Sequence, residues 1–257
     1  MTNNYHTHTF RCHHADGEER EYIETAIARG LTTLGFSDHV PMPFPDGHES
    51  GYRIRITELG DYIAELQALR EEYRGRINIL IGFEAEYYRD RFEDMLALLG
   101  QYEYDYLLLG QHFVNNEVDG VRTGVPTESE DILRAYVDHT LEGLATGKFT
   151  YFAHPDVINF IGDDTVYERH MHRLCEECRR MEIPLEINLL GLKEGRHYPT
   201  ERFFRIAAEV ENVAVLGCDA HHVDDVANPE QIAMGVAFAK RCGIPVLETV
   251  PLRSPRG

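Results

Sequence analysis

Ile77-Asn78-Ile79-Leu80-Ile81-Gly82-Phe83-Glu84-Ala85-Glu86 sets a β-branched apolar run directly against two carboxylates. Such a run reads as a buried strand, and Glu84 falls where that strand ends. The same conjunction recurs along the chain. Leu34-Gly35-Phe36 is followed by Ser37-Asp38-His39, Tyr106 to Leu109 by Gly110-Gln111-His112, Tyr151-Phe152-Ala153 by His154-Pro155-Asp156, and Val213 to Leu216 by Cys218-Asp219-Ala220-His221. Leu185-Glu186-Ile187 closes on Asn188, Pro245 to Val250 forms a last apolar run, and Asn4-Tyr5-His6-Thr7-His8 precedes them all.

Between these runs, residues 20–29, 57–72, 91–99, 130–145, 165–182, 200–211 and 229–242 carry helical periodicity. In 130–145, Ile132, Leu133, Tyr136, Val137, Thr140, Leu141 and Leu144 form one apolar face suited to covering a sheet, with Asp131, Asp138, His139 and Glu142 off it. About seven βα repeats, with no Pro/Ser-rich linker or low-complexity tract, predict an α/β fold: one barrel, closed or distorted, in a single domain over residues 1–257. In a parallel barrel the C-terminal strand ends share one face, so the polar motifs converge there. The longest irregular stretches, 40–52 and 113–129, are expected to cover that face.

Composition narrows the partners. A chain of 257 residues, 43% hydrophobic, can bury a substantial core. Its formal charge of −19, from 44 acidic and 25 basic side chains, argues against unaided nucleic-acid binding and for a small substrate. The five cysteines are an odd number in a chain too long to need a disulfide framework, which indicates a reducing compartment. No apolar run of about eighteen residues occurs. A removable leader would carry His6 away, so the expectation is a cytoplasmic protein with no membrane or nucleic-acid partner. The oligomeric state is left open.

Residues i and i+2 of a strand share a side, so His6 and His8 can grip one metal, and Asp219 and His221 can supply further positions. Imidazole and carboxylate together suit zinc, manganese or iron, and Glu84 can bridge two ions; the candidates are too many for one. His170-Met171-His172 has the same pattern but lies in a helical stretch, where i and i+2 diverge by about 200°, and reads as surface. Cys175 and Cys178 share a helical stripe with Val166, Met171, Leu174 and Met181 and read as core. Glu86, Asp38 and Asp156 read as supporting or capping groups. His13, His48, His197 and His222 receive no assignment.

Taken in order and spacing, His6-Thr7-His8-Thr9, His14, Ser37-Asp38-His39, Gly82 to Glu86, Gln111-His112, Ala153-His154-Pro155-Asp156 and Cys218 to His221 resemble the PHP (polymerase and histidinol phosphatase) family, most closely its histidinol-phosphate phosphatase branch. The resemblance implies a distorted (β/α)7 barrel with three divalent metals: one on His6, His8, Glu84 and Asp219, a second sharing Glu84 with His112 and His154, a third on His14, His39 and His221. His14 is preferred to His13 on the family's spacing. Asn4 stands where the family pattern often has aspartate, and an amide raises the basicity of a ligand imidazole less than a carboxylate does.

The segment Glu186 to Leu192 with Lys193, Arg196, His197, Tyr198 and Pro199 resembles the part of these phosphatases that recognises histidinol phosphate. On that basis Arg196, Asn188, Glu186 and Tyr198, with Arg122 and Arg11, are the expected substrate contacts, arginine being suited to fork onto phosphate oxygens. The implied reaction is hydrolysis of L-histidinol phosphate, a step of histidine biosynthesis, by a metal-bridging hydroxide, with Glu84, Asp219 and His221 as catalytic residues. No G-x-S-x-G elbow or P-loop supplies a protein nucleophile. A PHP phosphoesterase acting on nucleotides or single-stranded nucleic-acid ends stands second. An amidohydrolase and a non-catalytic metal-binding protein follow.

Overall fold

The computed structural model describes residues 1–45 and 47–255. Asp46, in the first of the expected covering loops, and Arg256 and Gly257 lie outside the described residues. The strands are β1 (Asn3–Asn4), β2 (Thr33–Phe36), β3 (Asn78–Ala85), β4 (Tyr106–Leu109), β5 (Phe113–Val114), β6 (Val121–Arg122), β7 (Leu185–Asn188) and β8 (Ala214–Gly217). The helices are α1 (Glu19–Ala28), α2 (Leu59–Glu72), α3 (Phe92–Leu99), α4 (Glu130–Ala145), α5 (Asp164–Arg180), α6 (Leu189–Glu194), α7 (Glu201–Glu209) and α8 (Pro229–Cys242). Side chains cap several of them, Ser129, Asp163, Thr200 and Asn228 each accepting a backbone N–H from the first turn of α4, α5, α7 and α8.

Parallel pairing runs β1-β2-β3-β4. It continues through Leu109 to Phe152, Phe152 to Leu185, and β7 to β8. Ala220 then pairs with Thr7, with His8 N donating to Ala220 O at 2.9 Å, and the ring closes at its upper end. At the lower end Val246 pairs with Ala214, and Asn3 Nδ2 donates to the Glu248 carbonyl, so the C-terminal segment lies between β8 and β1. The result is the distorted parallel barrel expected. Two expected strands are thinner than their sequence suggests: Tyr151 to Ala153 pairs only through Phe152, and Pro245 to Val250 only through Val246.

Period-two alternation sorts the strand residues. Tyr5, Leu80, Tyr106, Leu108, Tyr151, Ala153, Val215 and Val250 pack together inside the ring. Leu34, Phe36, Ile79, Ile81, Phe83, Leu107, Leu109, Phe152, Leu185, Ile187 and Leu216 join the larger core beneath the helices. Each such side chain contributes about 1.5–3 kcal/mol by leaving water. Cys175 and Cys178 lie in that core. His170 corrects the surface reading: it is buried and reaches Glu130 at 3.1 Å, because α5 packs on α4 and brings its first turn across. The 113–129 stretch is less irregular than expected, containing the β5–β6 hairpin. Helix α6, capped by Asn188, was hidden in a segment read only for substrate contacts. Among the described residues no helix is long and apolar enough to cross a membrane.

Candidate metal centre

The inward rows of the barrel continue upward into the site. Leu80 and Gly82 lead by steps of two to Glu84 and Glu86, Leu108 and Gly110 to His112, and Val215 and Gly217 to Asp219. Apolar side chains fill the lower levels and ligating groups the top. His154 is out of step with inward Tyr151 and Ala153, and there the backbone turns left-handed, with φ of 32°; Asp219 has φ of 48°. Neither is glycine. Such backbone is sparsely populated, and both instances fall on residues that aim into the cluster.

Four atoms from three chain segments converge, five of their separations being those of a tetrahedral donor set. His6 Nε2 lies 3.1 Å from His8 Nε2, 3.3 Å from Glu84 Oε2 and 3.3 Å from Asp219 Oδ1. His8 Nε2 lies 3.3 Å from Glu84 Oε2 and 3.2 Å from Asp219 Oδ1. Donors about 2.0–2.1 Å from one tetrahedral cation would be spaced about 3.3–3.4 Å apart, close to these edges. The other oxygen of Glu84 faces a second group: Oε1 is 2.8 Å from His154 Nε2 and 3.5 Å from His112 Nε2. One carboxylate thus serves two sets of imidazoles, the arrangement of a bridging ligand. Toward the cleft mouth, His14 Nε2 and His221 Nε2 are 2.9 Å apart, and the His14 ring stacks on His39. His13 turns away to Glu58.

The backs of these rings are held. His6 Nδ1 meets Glu186 Oε1 at 2.7 Å, His112 Nδ1 meets Glu86 Oε1 at 3.0 Å, His14 Nδ1 meets the Cys12 carbonyl at 3.0 Å, and His221 Nδ1 meets the Asp219 carbonyl at 2.9 Å. Each acceptor makes Nδ1 the protonated nitrogen and leaves the Nε2 lone pair for a cation. Asp38 accepts from Thr9, and Asp156 from Thr200 at the start of α7, the supporting roles expected of them. Burial pushes both carboxyls up to about 6.

Without cations the charge is awkward. Burial works against protonated His6, but Glu186, Asp219 and Glu84 overcome it and raise its pKa well above that of ordinary imidazole. His8 is also raised against burial, by Asp219, Cys12 and Glu84. Burial drives His221 down to about 3 and also lowers His14 and His39, with charged His8 adding to each. Neutral imidazoles with converging lone pairs are metal donors. Nδ1 of His8 and His154 is buried with no hydrogen-bond partner, and His39 Nδ1 lies 3.3 Å from Glu84 Oε2 without hydrogen-bond geometry. The donor set fits divalent cations, which would replace the protons on His6 and His8.

Above the cluster opens a cleft of about 880 Å³. Arg122, Arg196 and Tyr198, three of the expected substrate contacts, line it. Arg196 donates to the Tyr198 hydroxyl and Glu194 at 2.7 Å each, and the Tyr198 ring lies 5.6 Å from that of His154. Tyr52, His197 and His222 also line it; His197 lies in the segment likened to a substrate site, whereas Tyr52 and His222 received no assignment from the sequence. The other three expected substrate contacts do not line it. Arg11 does not line the cleft and pairs with buried Glu19 instead. Glu186 is fully buried on His6, Tyr151 and the backbone N–H of His154. Asn188 donates to Glu186 and Asp219 and caps α6. Both belong to inward rows below the ligands, so they brace the cluster.

Residues 4–189 match the PHP domain. The chain is 31% identical over 230 residues to a probable histidinol-phosphatase of Deinococcus radiodurans, covering 86% of each protein. It is 30% identical over 279 residues to the histidinol-phosphatase of Bacillus subtilis, covering 92% of this chain and 98% of that protein. Among solved structures, histidinol phosphate phosphatase from Lactococcus lactis, crystallised with zinc, L-histidinol and phosphate, superposes with a TM-score of 0.74 at 20% identity over 97% of this chain and 96% of that one. A putative histidinol phosphatase from Listeria monocytogenes gives a TM-score of 0.70 at 18% identity over 90% of this chain and 99% of that one.

Proposed function

This chain belongs to the PHP domain family, and from that premise we propose that it is a metal-dependent phosphomonoesterase that hydrolyses L-histidinol phosphate to L-histidinol and phosphate. The observation that carries the reading is Glu84, whose two oxygens face separate imidazole groups on the floor of a cleft walled by Arg122 and Arg196. Relatives covering most of the chain bear the histidinol-phosphatase name, and a structure of this fold was obtained with zinc, L-histidinol and phosphate.

His6, His8, Glu84 and Asp219 would hold one cation, Glu84, His112 and His154 a second, and His14, His39 and His221 a third. Zinc, manganese or iron held there would supply Lewis-acid charge and a water acidic enough to attack phosphorus near neutral pH. The protein's own groups bind and orient. Arg196 and Arg122 receive phosphate oxygens, and Tyr198 and Glu194 set the angle of the Arg196 guanidinium. Glu84 and Asp219 supply the negative charge that would hold the cations beneath the phosphate, and His221 closes the cluster toward the cleft. All five cysteines are free and buried, which fits a single domain working in the reducing cytoplasm.

The test is phosphate release by metal-stripped protein reconstituted separately with zinc, manganese and iron. Histidinol phosphate should be hydrolysed faster than any nucleoside monophosphate with at least one metal. Faster hydrolysis of a nucleotide would overturn the substrate assignment.

A further inference from the structure

Arg53 is the one lysine or arginine buried among the described residues, with 2% of its surface exposed. Its guanidinium carries five N–H donors; it makes four hydrogen bonds and one ion pair. NH1 lies 2.6 Å from Glu86 Oε2 and donates to the Val40 carbonyl at 3.3 Å. Nε donates to Glu117 Oε2 at 2.7 Å, and NH2 reaches the hydroxyls of Tyr52 at 2.9 Å and Tyr88 at 3.3 Å.

Four of these contacts lead to the walls of the metal centre. The second oxygen of Glu86 holds His112 Nδ1 at 3.0 Å. Val40 follows His39, whose carbonyl accepts from Ile54 N at 3.1 Å. The Tyr52 ring stands edge-on to His39 and His14, with centroids 5.1 and 6.0 Å away. Glu117 lies between β5 and β6, the hairpin that brings Phe113 and Arg122 to the cleft. Stability alone is a poor reason for such an arrangement, since a buried ion pair often gains less than an apolar replacement would. What these partners have in common is contact with ligand histidines or the cleft wall.

We propose that Arg53 is a positioning residue for the metal centre. It clamps Glu86 so that His112 faces Glu84, and through Glu117 it fixes the hairpin carrying Arg122, so both metal retention and the hold on phosphate depend on it. The phosphate half rests on the functional reading above. The metal half rests on the ligand set alone and not on the substrate. No lysine could replace it, because an ammonium has three donors and no planar fork with which to span Glu86 and Glu117 together.

The experiment compares Arg53→Lys and Glu117→Gln with the natural protein by metal content after dialysis against graded chelator, by melting of the metal-stripped chains, and by kcat and KM for histidinol phosphate. Arg53→Lys should lose metal about 10- to 100-fold more readily, with little change in metal-stripped melting, and its KM should stay raised when metal is in excess. Glu117→Gln cuts only the arm to the hairpin and should raise KM while retaining metal normally. Natural metal retention in Arg53→Lys would overturn the proposal, as would a loss that merely tracks a lower melting temperature. If Arg53→Lys does not fold, Glu117→Gln and Tyr52→Phe decide by the same readings, and natural values in both overturn it. Failure of the natural protein to act on histidinol phosphate would sink the functional reading, and chelator resistance would still decide the role of Arg53.

Discussion

His6 Nδ1 lies 2.7 Å from Glu186 Oε1, and both side chains are fully buried. Glu186 lies in β7 and opens the segment likened to a substrate site, yet it braces a metal ligand from behind. Glu186→Gln would keep the shape and remove the charge that favours the Nδ1 proton. Metal affinity should fall about 10- to 100-fold, while KM with excess metal stays unchanged. Chelator competition and steady-state kinetics separate the two. A raised KM with normal metal affinity would return Glu186 to the substrate.

The ligand cluster was legible because strand ends are written locally: an apolar run, then His, Asp or Glu, repeated around the ring. Period two even places Glu84, His112 and Asp219 on inward rows. The bracing was not legible. Arg53 sits in Gly51-Tyr52-Arg53-Ile54 with no periodic pattern, and its carboxylate partners Glu86 and Glu117 come from other loops. Arg11 failed for the same reason, since its partner Glu19 is on α1. Residue type announces what a side chain can bind, whereas packing decides which groups reach it.

His112→Ala and Asp219→Asn should each abolish phosphatase activity without unfolding the chain. Each removes a ligand rather than a core residue, and His112 retains some exposure. The measurements are turnover in metal-replete buffer and circular dichroism. Near-normal turnover of His112→Ala would sink the shared-carboxylate arrangement.

Metal uptake should expel protons at neutral pH. In the metal-free chain the pKa values of His6 and His8 are raised, so protons compete with a cation for Nε2. As pH falls, protons compete more strongly and loading weakens. Titrating metal-stripped protein with zinc in weak buffer and an indicator dye should show about one proton or more released per ion at this position. Uptake without proton release would contradict the charge balance drawn from the cluster.

Arg196 and Arg11 should separate cleanly. Arg196 lines the cleft, so Arg196→Ala should raise KM for the phosphate ester about tenfold or more, as loss of a charged hydrogen bond of about 1.5–3 kcal/mol requires. Arg11→Ala should leave KM alone and cost about 1–3 kcal/mol of stability by leaving buried Glu19 without its partner. Denaturant melts and kinetics on the two variants test this directly. A KM effect from Arg11 would reinstate it in the site.

Two glycines beneath the cluster should prove as indispensable as the ligands. A Cβ on Gly110 would lie 1.8 Å from Glu84 Oε1, and one on Gly217 would lie 1.8 Å from Glu186 Oε1. Both are strand-end positions with ordinary backbone, so the demand is for space and not for left-handed φ. Each carboxylate passes over its neighbour's backbone, and neither can retreat, since Glu84 is held by His154 and Glu186 by His6, Tyr151 and Asn188. Gly110→Ala should displace the shared ligand itself, and Gly217→Ala only the brace behind His6. Metal retention should therefore fall further in Gly110→Ala than in Gly217→Ala, with the latter near the 10- to 100-fold loss expected of about one missing supporting contact. Metal analysis after chelator dialysis gives the ranking, and equal, natural retention in both would mean that the carboxylates do not need the positions they occupy here.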